Sequence, residues 1–104
     1  MSITIQSGGL VTKDPNNIEV FMVDWDQERL ATGVEISDST WAITGPDSAL
    51  TEDEDSIVTG NRKTQIRLTG GTLHKRYTVT NTIETNETPA QTIDASFFIL
   101  IQQE

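Results

Sequence analysis

Residues 76–85, RYTVTNTIET, alternate between two kinds of side chain along their whole length. Tyr77, Val79, Asn81 and Ile83 form one set, and the intervening positions are mainly threonine. A period of two places each set on its own face of an extended strand. The chain is also rich in Thr, Ile and Val, and no window shows apolar residues at helical spacing. These patterns predict an all-β fold.

Similar short runs recur along the chain, and Gly, Asn, Asp or Pro residues separate them. Their number indicates about seven strands with a turn signal roughly every ten residues, which is typical of a two-sheet sandwich. We therefore predict an immunoglobulin-like antiparallel β-sandwich over residues 13–104. Residues 1–12 would form an N-terminal arm or an edge strand. A closed barrel is the structural alternative.

The core of this sandwich should contain the aromatic residues, because they gain most from burial. Together with the aliphatic residues that share their faces, the predicted core residues are Phe21, Trp25, Trp41, Tyr77, Val79, Ile83, Phe97 and Ile99. The hydroxyl of Tyr77 is expected to bond backbone upstream, near the Gly70-Gly71 turn.

Two runs, Ile18 to Trp25 and Phe97 to Ile101, are apolar on both faces. A sandwich of this size has only one interior, and surplus apolar faces tend to mark protein contacts. Cover by the N-terminal arm or by loops is the alternative. The residues predicted to form an interface are Ile3, Ile5, Ile18, Val20, Met22, Phe98 and Leu100.

The formal net charge of −9 argues against nucleic acid and anionic membrane surfaces as partners. No apolar run approaches the length of about 20 residues that spans a bilayer, and we expect no secretory leader. Cysteine is absent, which excludes disulfides, thiolate metal sites and cysteine nucleophiles.

No recognised motif frames the single histidine, His74, so we expect it in a solvated turn. The acidic stretch Glu52, Asp53, Glu54 and Asp55 is a weak calcium candidate, since its spacing does not match a known calcium loop. We expect it to be a solvated loop. We predict no catalytic residues, no cofactor and no enzyme activity.

Several segments of the chain occur in an order and spacing that resemble the short phage virion proteins of the fibre–tail adaptor type. The resemblance covers about residues 13–101, and it is carried by Lys13-Asp14-Pro15, Asp24-Trp25, Ser39-Thr40-Trp41, Leu68-Thr69-Gly70-Gly71-Thr72 and Tyr77-Thr78-Val79-Thr80-Asn81 with Ile83 and Thr85. The chain departs from the family pattern at Glu28-Arg29, at His74 and at Asn86-Glu87-Thr88-Pro89.

The resemblance implies an immunoglobulin-like fold and a structural role in a bacteriophage tail, without catalysis or a cofactor. The implied function is that of a tail or fibre adaptor that docks neighbouring virion proteins, in several symmetric copies. It would be a virion component assembled in the bacterial host cytoplasm. Capsid decoration is one alternative, and a carbohydrate- or receptor-binding module is another.

Overall fold

The described residues of the protein form eight β-strands. The structure is a computed structural model that describes residues 2–5, 8–25, 30, 33–58 and 60–103, without the side chains of residues 2–5. The strands are β1 Ser2–Ile5, β2 Leu10–Lys13, β3 Ile18–Asp24, β4 Ile36–Thr44, β5 Leu50–Ile57, β6 Lys63–Gly70, β7 Arg76–Thr85 and β8 Thr92–Ile101. No helix within these described ranges is long and apolar enough to cross a membrane.

The strands form two four-stranded sheets, which confirms the prediction of an all-β sandwich. Sheet 1 has the order β1-β3-β6-β5 and sheet 2 has the order β2-β8-β7-β4. The order of β3 to β8 agrees with the pairing of strands B to G in immunoglobulin domains. The narrower immunoglobulin-like classification stays a prediction.

The N-terminal strands differ from the antiparallel arrangement that we predicted. β1 pairs in parallel with β3, and β2 pairs in parallel with β8. The first thirteen residues therefore contribute one short strand to each sheet, at its edge. This division raises the strand count from about seven to eight.

The core lies between the two sheets and follows the period of two. Of the predicted core residues, those that lie buried there are Phe21, Trp25, Tyr77, Val79, Ile83, Phe97 and Ile99. Trp41 differs, because it packs against the core but is only half-buried. It lies on β4, an edge strand, and its ring meets Phe97 edge-on at a centroid distance of 6.4 Å.

The acidic stretch is a strand, and the prediction of a loop there was wrong. Glu52 to Asp55 lie within β5, which pairs antiparallel with β6 and forms the free edge of sheet 1. An irregularity between Glu52 and Glu54 interrupts the register. Charged residues on an edge strand discourage uncontrolled pairing with other chains, so an acidic run is compatible with this position.

The turn after β6 depends on two glycines in the left-handed region. Gly70 has a φ of 83° and Gly71 a φ of 104°. A Cβ at Gly70 would lie 2.5 Å from the carbonyl oxygen of Ala49, and one at Gly71 would lie 2.5 Å from Cδ1 of Ile101. Side chains are excluded from both positions by conformation and by space. The turn therefore keeps β6, β8 and residue 49 close together.

Candidate protein-docking surfaces

The outer face of β3 carries an apolar row. Ile18 is 60% exposed, and Val20 and Met22 are half-buried. In the pairing with β6, Val20 lies opposite Arg67 and Met22 opposite Gln65. Directly opposed residues share a face, so this row lies beside polar side chains on the outside of sheet 1. We call Ile18, Val20 and Met22 the β3 row.

A second apolar group lies on the outside of sheet 2. Phe98 and Leu100 of β8 are half-buried, and Leu10 of β2 lies opposite Phe98 with 56% of its surface exposed. The guanidinium carbon of Arg76 lies 5.3 Å from the centroid of the Phe98 ring, which is within cation–π range. We call Leu10, Phe98 and Leu100 the β8 patch.

Leu10 was missed as an interface residue in the sequence. The prediction of an N-terminal arm or an edge strand over residues 1–12 assigns them no register, although Leu10 and Thr12 alternate with Val11 and Lys13. The pairing Leu10 to Phe98 and Thr12 to Leu100 places Leu10 on the outer face. The period of two in LVTK was the available signal.

The remaining predicted interface residues, Ile3 and Ile5, lie on β1. Their side chains lie outside the described residues. The backbone register sets Ile3 beside Phe21 and Ile5 beside Val23, both of which are buried positions of β3. Their place in an interface stays a prediction.

A buried polar network joins the two sheets behind these surfaces. Trp25 donates its indole N–H to Thr64 Oγ1 at 3.1 Å and to Asn81 Oδ1 at 3.0 Å. Asn81 in turn donates to Ser39 Oγ at 2.9 Å and to the Thr40 carbonyl at 2.8 Å. A satisfied network of this kind fixes the relative position of the strands it joins. These contacts make it part of the scaffold of the docking surfaces.

The hydroxyl of Tyr77 organises the turn between β6 and β7. The backbone N–H of Thr72 donates to it at 3.0 Å, and the hydroxyl itself donates to Asp47 Oδ1. Asp47 also accepts from Thr72 Oγ1 and from the Ala49 N–H. Hydrogen bonds to the ionised form, that from Tyr77 above all, hold the pKa of the Asp47 carboxyl below its ordinary value.

Lys13 is a buried charged residue that the sequence did not lead us to expect in the interior. Its Nζ donates to the Gly70 carbonyl at 2.8 Å and to the Asp14 carbonyl at 3.0 Å. It therefore ties β2 of sheet 2 to the end of β6 in sheet 1. Desolvation lowers the pKa of Lys13, while the nearby charges of Glu19 and Asp14 act in the opposite direction.

The weak calcium candidate on β5 gains no support from the geometry. Arg67 donates to Asp53 Oδ2 from Nε at 2.9 Å, and its Nη2 lies 3.7 Å from Glu54 Oε2. No group of three or more His, Cys, Asp or Glu side chains among the described residues could hold a metal ion. Asp53 and Glu54 are thus occupied with a cation of the protein itself.

The other predicted features lie at the surface. His74 is exposed in the turn before β7, with a φ of 69°, and its backbone N–H donates to the Ile101 carbonyl at 2.7 Å.

A shallow depression of about 150 Å³ lies on the outside of sheet 1, next to the β3 row. The outer-face residues that line it are Val20, Glu54, Ser56, Gln65 and Arg67.

Two solved structures are similar to this chain. The crystal structure of the cysteine protease inhibitor EhICP2 from Entamoeba histolytica matches with a TM-score of 0.57 and 10% identity, over 97% of this chain and 95% of that one. The solution structure of Amebosin matches with a TM-score of 0.40 and 11% identity, over 98% and 99% of the two chains. At this level of identity the first match supports the sandwich fold alone. No curated protein sequence matches the chain significantly.

A family profile identifies the chain more specifically. The profile, described as podophage GP4 fiber-tail adaptor protein gp77, matches residues 13–100. The match begins in β2 at Lys13 and ends in β8 one residue before Ile101. It therefore includes the β3 row and both β8 members of the β8 patch, whereas Leu10 precedes it. This protein belongs to the podophage fibre–tail adaptor family.

Proposed function

We propose that the protein docks neighbouring virion proteins of a phage tail through the β3 row and the β8 patch. Membership of the adaptor family makes it a virion component that interacts with other virion proteins. Within the proposal it is present in several symmetric copies and is assembled in the host cytoplasm. It acts by binding and not by catalysis.

The observation that carries the proposal is the exposure of large aliphatic side chains on outer sheet faces. Among the residues whose side chains the structure describes, Leu10 and Ile18 are the exposed large hydrophobic ones, one on each sheet. Burying a leucine or isoleucine side chain completely contributes about 1.5–3 kcal/mol. Two such residues, each beside half-buried apolar neighbours, provide centres for protein contacts on opposite sides of the sandwich.

A tail role is better supported than either alternative. The matching family is one of fibre–tail adaptors, which favours the tail over decoration of the capsid. A carbohydrate-binding module would use exposed aromatic rings, yet Trp25 is buried and Trp41 packs on the core. Cryo-electron microscopy of particles would locate the protein directly, and density on the capsid faces would contradict the tail assignment.

The docking surfaces can be tested with the substitution Leu10→Glu. The side chain is more than half exposed on an edge strand, so the fold should tolerate the change while a contact that buries Leu10 should not. We expect incorporation into particles to fall by about tenfold or more, since each 1.4 kcal/mol changes an affinity by that factor. The measurement is the amount of the protein per purified virion after complementation of a phage that lacks the gene.

Thr51→Glu is the matched control, because it adds the same charge at an exposed position on β5. Ile18→Glu tests the β3 row in the same assay. If both Leu10→Glu and Ile18→Glu enter particles at the wild-type level with unchanged melting temperatures, the proposed surfaces are wrong.

A further inference from the structure

The side of the sandwich between β4 and β5 is incompletely closed. β4 and β5 are edge strands of different sheets, they follow each other in the chain, and they contact each other. The inner positions of β4 include Trp41 and Ile43, which lie opposite the buried Asn81 and Val79 but are themselves only half-buried. Apolar surface that belongs to the interior is thus accessible along this side.

The corresponding inner positions of β5 carry carboxylates. Glu52 lies opposite Leu68, and Asp55 lies opposite Ile66, and both partners on β6 are buried. Since directly opposed residues share a face, Glu52 and Asp55 belong to the inner face of sheet 1. Both are exposed, although they lie on that inner face. We call Trp41, Ile43, Glu52 and Asp55 the open side.

The open side is strongly acidic, and the two strands that form it carry no basic residue. β4 contains one acidic residue and β5 contains four, and neither strand contains Lys or Arg. Arg67 lies on the outer face, where it pairs with Asp53 and Glu54. No described basic side chain forms an ion pair with Glu52 or Asp55. A segment that covers this side would therefore have to supply positive charge.

The two tryptophans differ in their polar contacts. Nε1 of Trp41 is buried without a hydrogen-bond partner among the described residues, whereas Nε1 of Trp25 has two acceptors. The Trp41 ring meets Phe97 edge-on. Trp41 thus supplies apolar surface on the same side of the sandwich as two carboxylates that form no ion pair with a described basic side chain.

We infer that the open side binds a basic, extended segment of another protein. Charge complementarity defines this occupant, since the apolar surface of Trp41 and Ile43 lies on the same side as carboxylates that no described basic side chain neutralises. The inference deepens the proposed function and rests on it only in taking the ligand to be a protein. It concerns a different surface from the β3 row and the β8 patch.

The spacing of the carboxylates sets the pattern of the bound segment. Glu52 and Asp55 lie opposite residues that are two positions apart on β6. Two positions along a strand correspond to about 6.5–7 Å. An extended segment that places a Lys or Arg at every second position matches this distance, with apolar side chains between them. The preferred sequence therefore alternates basic and apolar residues.

A synthetic peptide of alternating Lys and Val, with the same length as the eight residues of β5, is the probe. Its binding to the full chain is measured by fluorescence anisotropy of a dye on the peptide. A peptide of identical composition with four Lys followed by four Val controls for charge alone. We expect the alternating peptide to bind about fivefold more tightly than the block peptide, because only the former can set Val against Trp41 and Ile43 while its Lys residues pair with both carboxylates.

The double substitution Glu52→Gln and Asp55→Asn should lower the affinity for the alternating peptide by about fivefold to tenfold. The matched control is Glu84→Gln with Asp94→Asn, which removes the same charge from exposed positions of β7 and β8. It should change the affinity less than about twofold. Absence of binding to the wild-type chain, equal binding of both peptides, or equal loss in both double variants would each overturn the inference. Because these variants leave the β3 row and the β8 patch intact, failure here is separate from failure of the proposed function.

Discussion

Single polar residues determine how the two sheets of this adaptor are aligned. Asn81 occupies a position where the alternation of β7 calls for an apolar side chain, and it bonds Trp25, Ser39 and Thr40. A buried amide left without its partners would cost about 1–3 kcal/mol, so the network favours one alignment over others. This alignment also sets the relative positions of the β3 row and the β8 patch on the two outer surfaces.

Asp47 makes a pH-dependent contribution to stability that can be measured. Its folded-state pKa is lowered, so the ionised carboxylate stabilises the folded state above its ordinary pKa. This contribution is lost as the pH falls from about 4 through the folded-state pKa. We expect Asp47→Asn to be less stable than the wild type at pH 7 in urea melts, and the difference to shrink as the pH falls below about 4.

Asp94→Asn is the control for this titration, since it removes an exposed carboxylate from β8. The difference in stability between the wild type and Asp47→Asn could instead stay constant from pH 7 to well below pH 4. That result would show that the charge on Asp47 does not cause the difference.

The residues that sequence reasoning placed correctly are those whose side chains obey the alternation, such as Val79, Ile83 and Ile99. Lys13 was missed because a lysine next to Asp-Pro is typical of a solvated turn, and only the structure brings the Gly70 carbonyl to its amine. Trp41 was expected in the core because its strand alternates. Its half-burial arises because β4 ends its sheet, and strand order was not readable from the sequence.

At the level of elements, the clearest difference concerns β5. Strands β7 and β8 were evident because one face of each is apolar, whereas β5 shows four consecutive acidic residues and no alternation. The pairing of β5 with β6 makes this segment a strand, although its sequence does not alternate. For the same reason the open side could not be predicted from the sequence, because only the register of β5 shows which of its residues face inward.

The first strand is an element whose removal should separate folding from assembly. We propose that residues 1–7 contribute more to contacts in the virion than to the core, because β1 makes one short parallel pairing at the edge of sheet 1. Removing residues 1–7 should lower the free energy of unfolding by only about 1–2 kcal/mol, while incorporation into particles falls by tenfold or more.

Gly8 and Gly9 are retained in this truncation, because the Gly8 N–H and the Gly9 carbonyl bond to β8. A chain that lacks residues 103–104 serves as the control for shortening a terminus. If the free energy of unfolding and the incorporation into particles both fell strongly, β1 would instead be an integral part of the fold.

For the whole molecule, the net charge of −9 opposes compaction. Added salt screens the repulsion between exposed negative charges, which stabilises the folded state. Salt also weakens the described ion pairs, but these are few, so the loss of repulsion should dominate. We expect the melting temperature to rise by about 2–5 °C between about 0.01 M and 0.5 M NaCl. The double variant Glu52→Gln and Asp55→Asn, with two fewer negative charges, should respond less. A melting temperature that falls with salt would mean that attractive pairs dominate.

The parallel pairing of β2 with β8 has a mechanical consequence. Gly9 and Lys13 accept hydrogen bonds at 2.8 and 3.0 Å from Phe98 and Gln102, so the contact runs along the full length of β2. When two parallel strands are pulled apart from the N-terminus of one and the C-terminus of the other, the force acts along the strands and loads all of their hydrogen bonds together. A pull applied at the start of β2 and at the end of β8 would therefore meet resistance to shear.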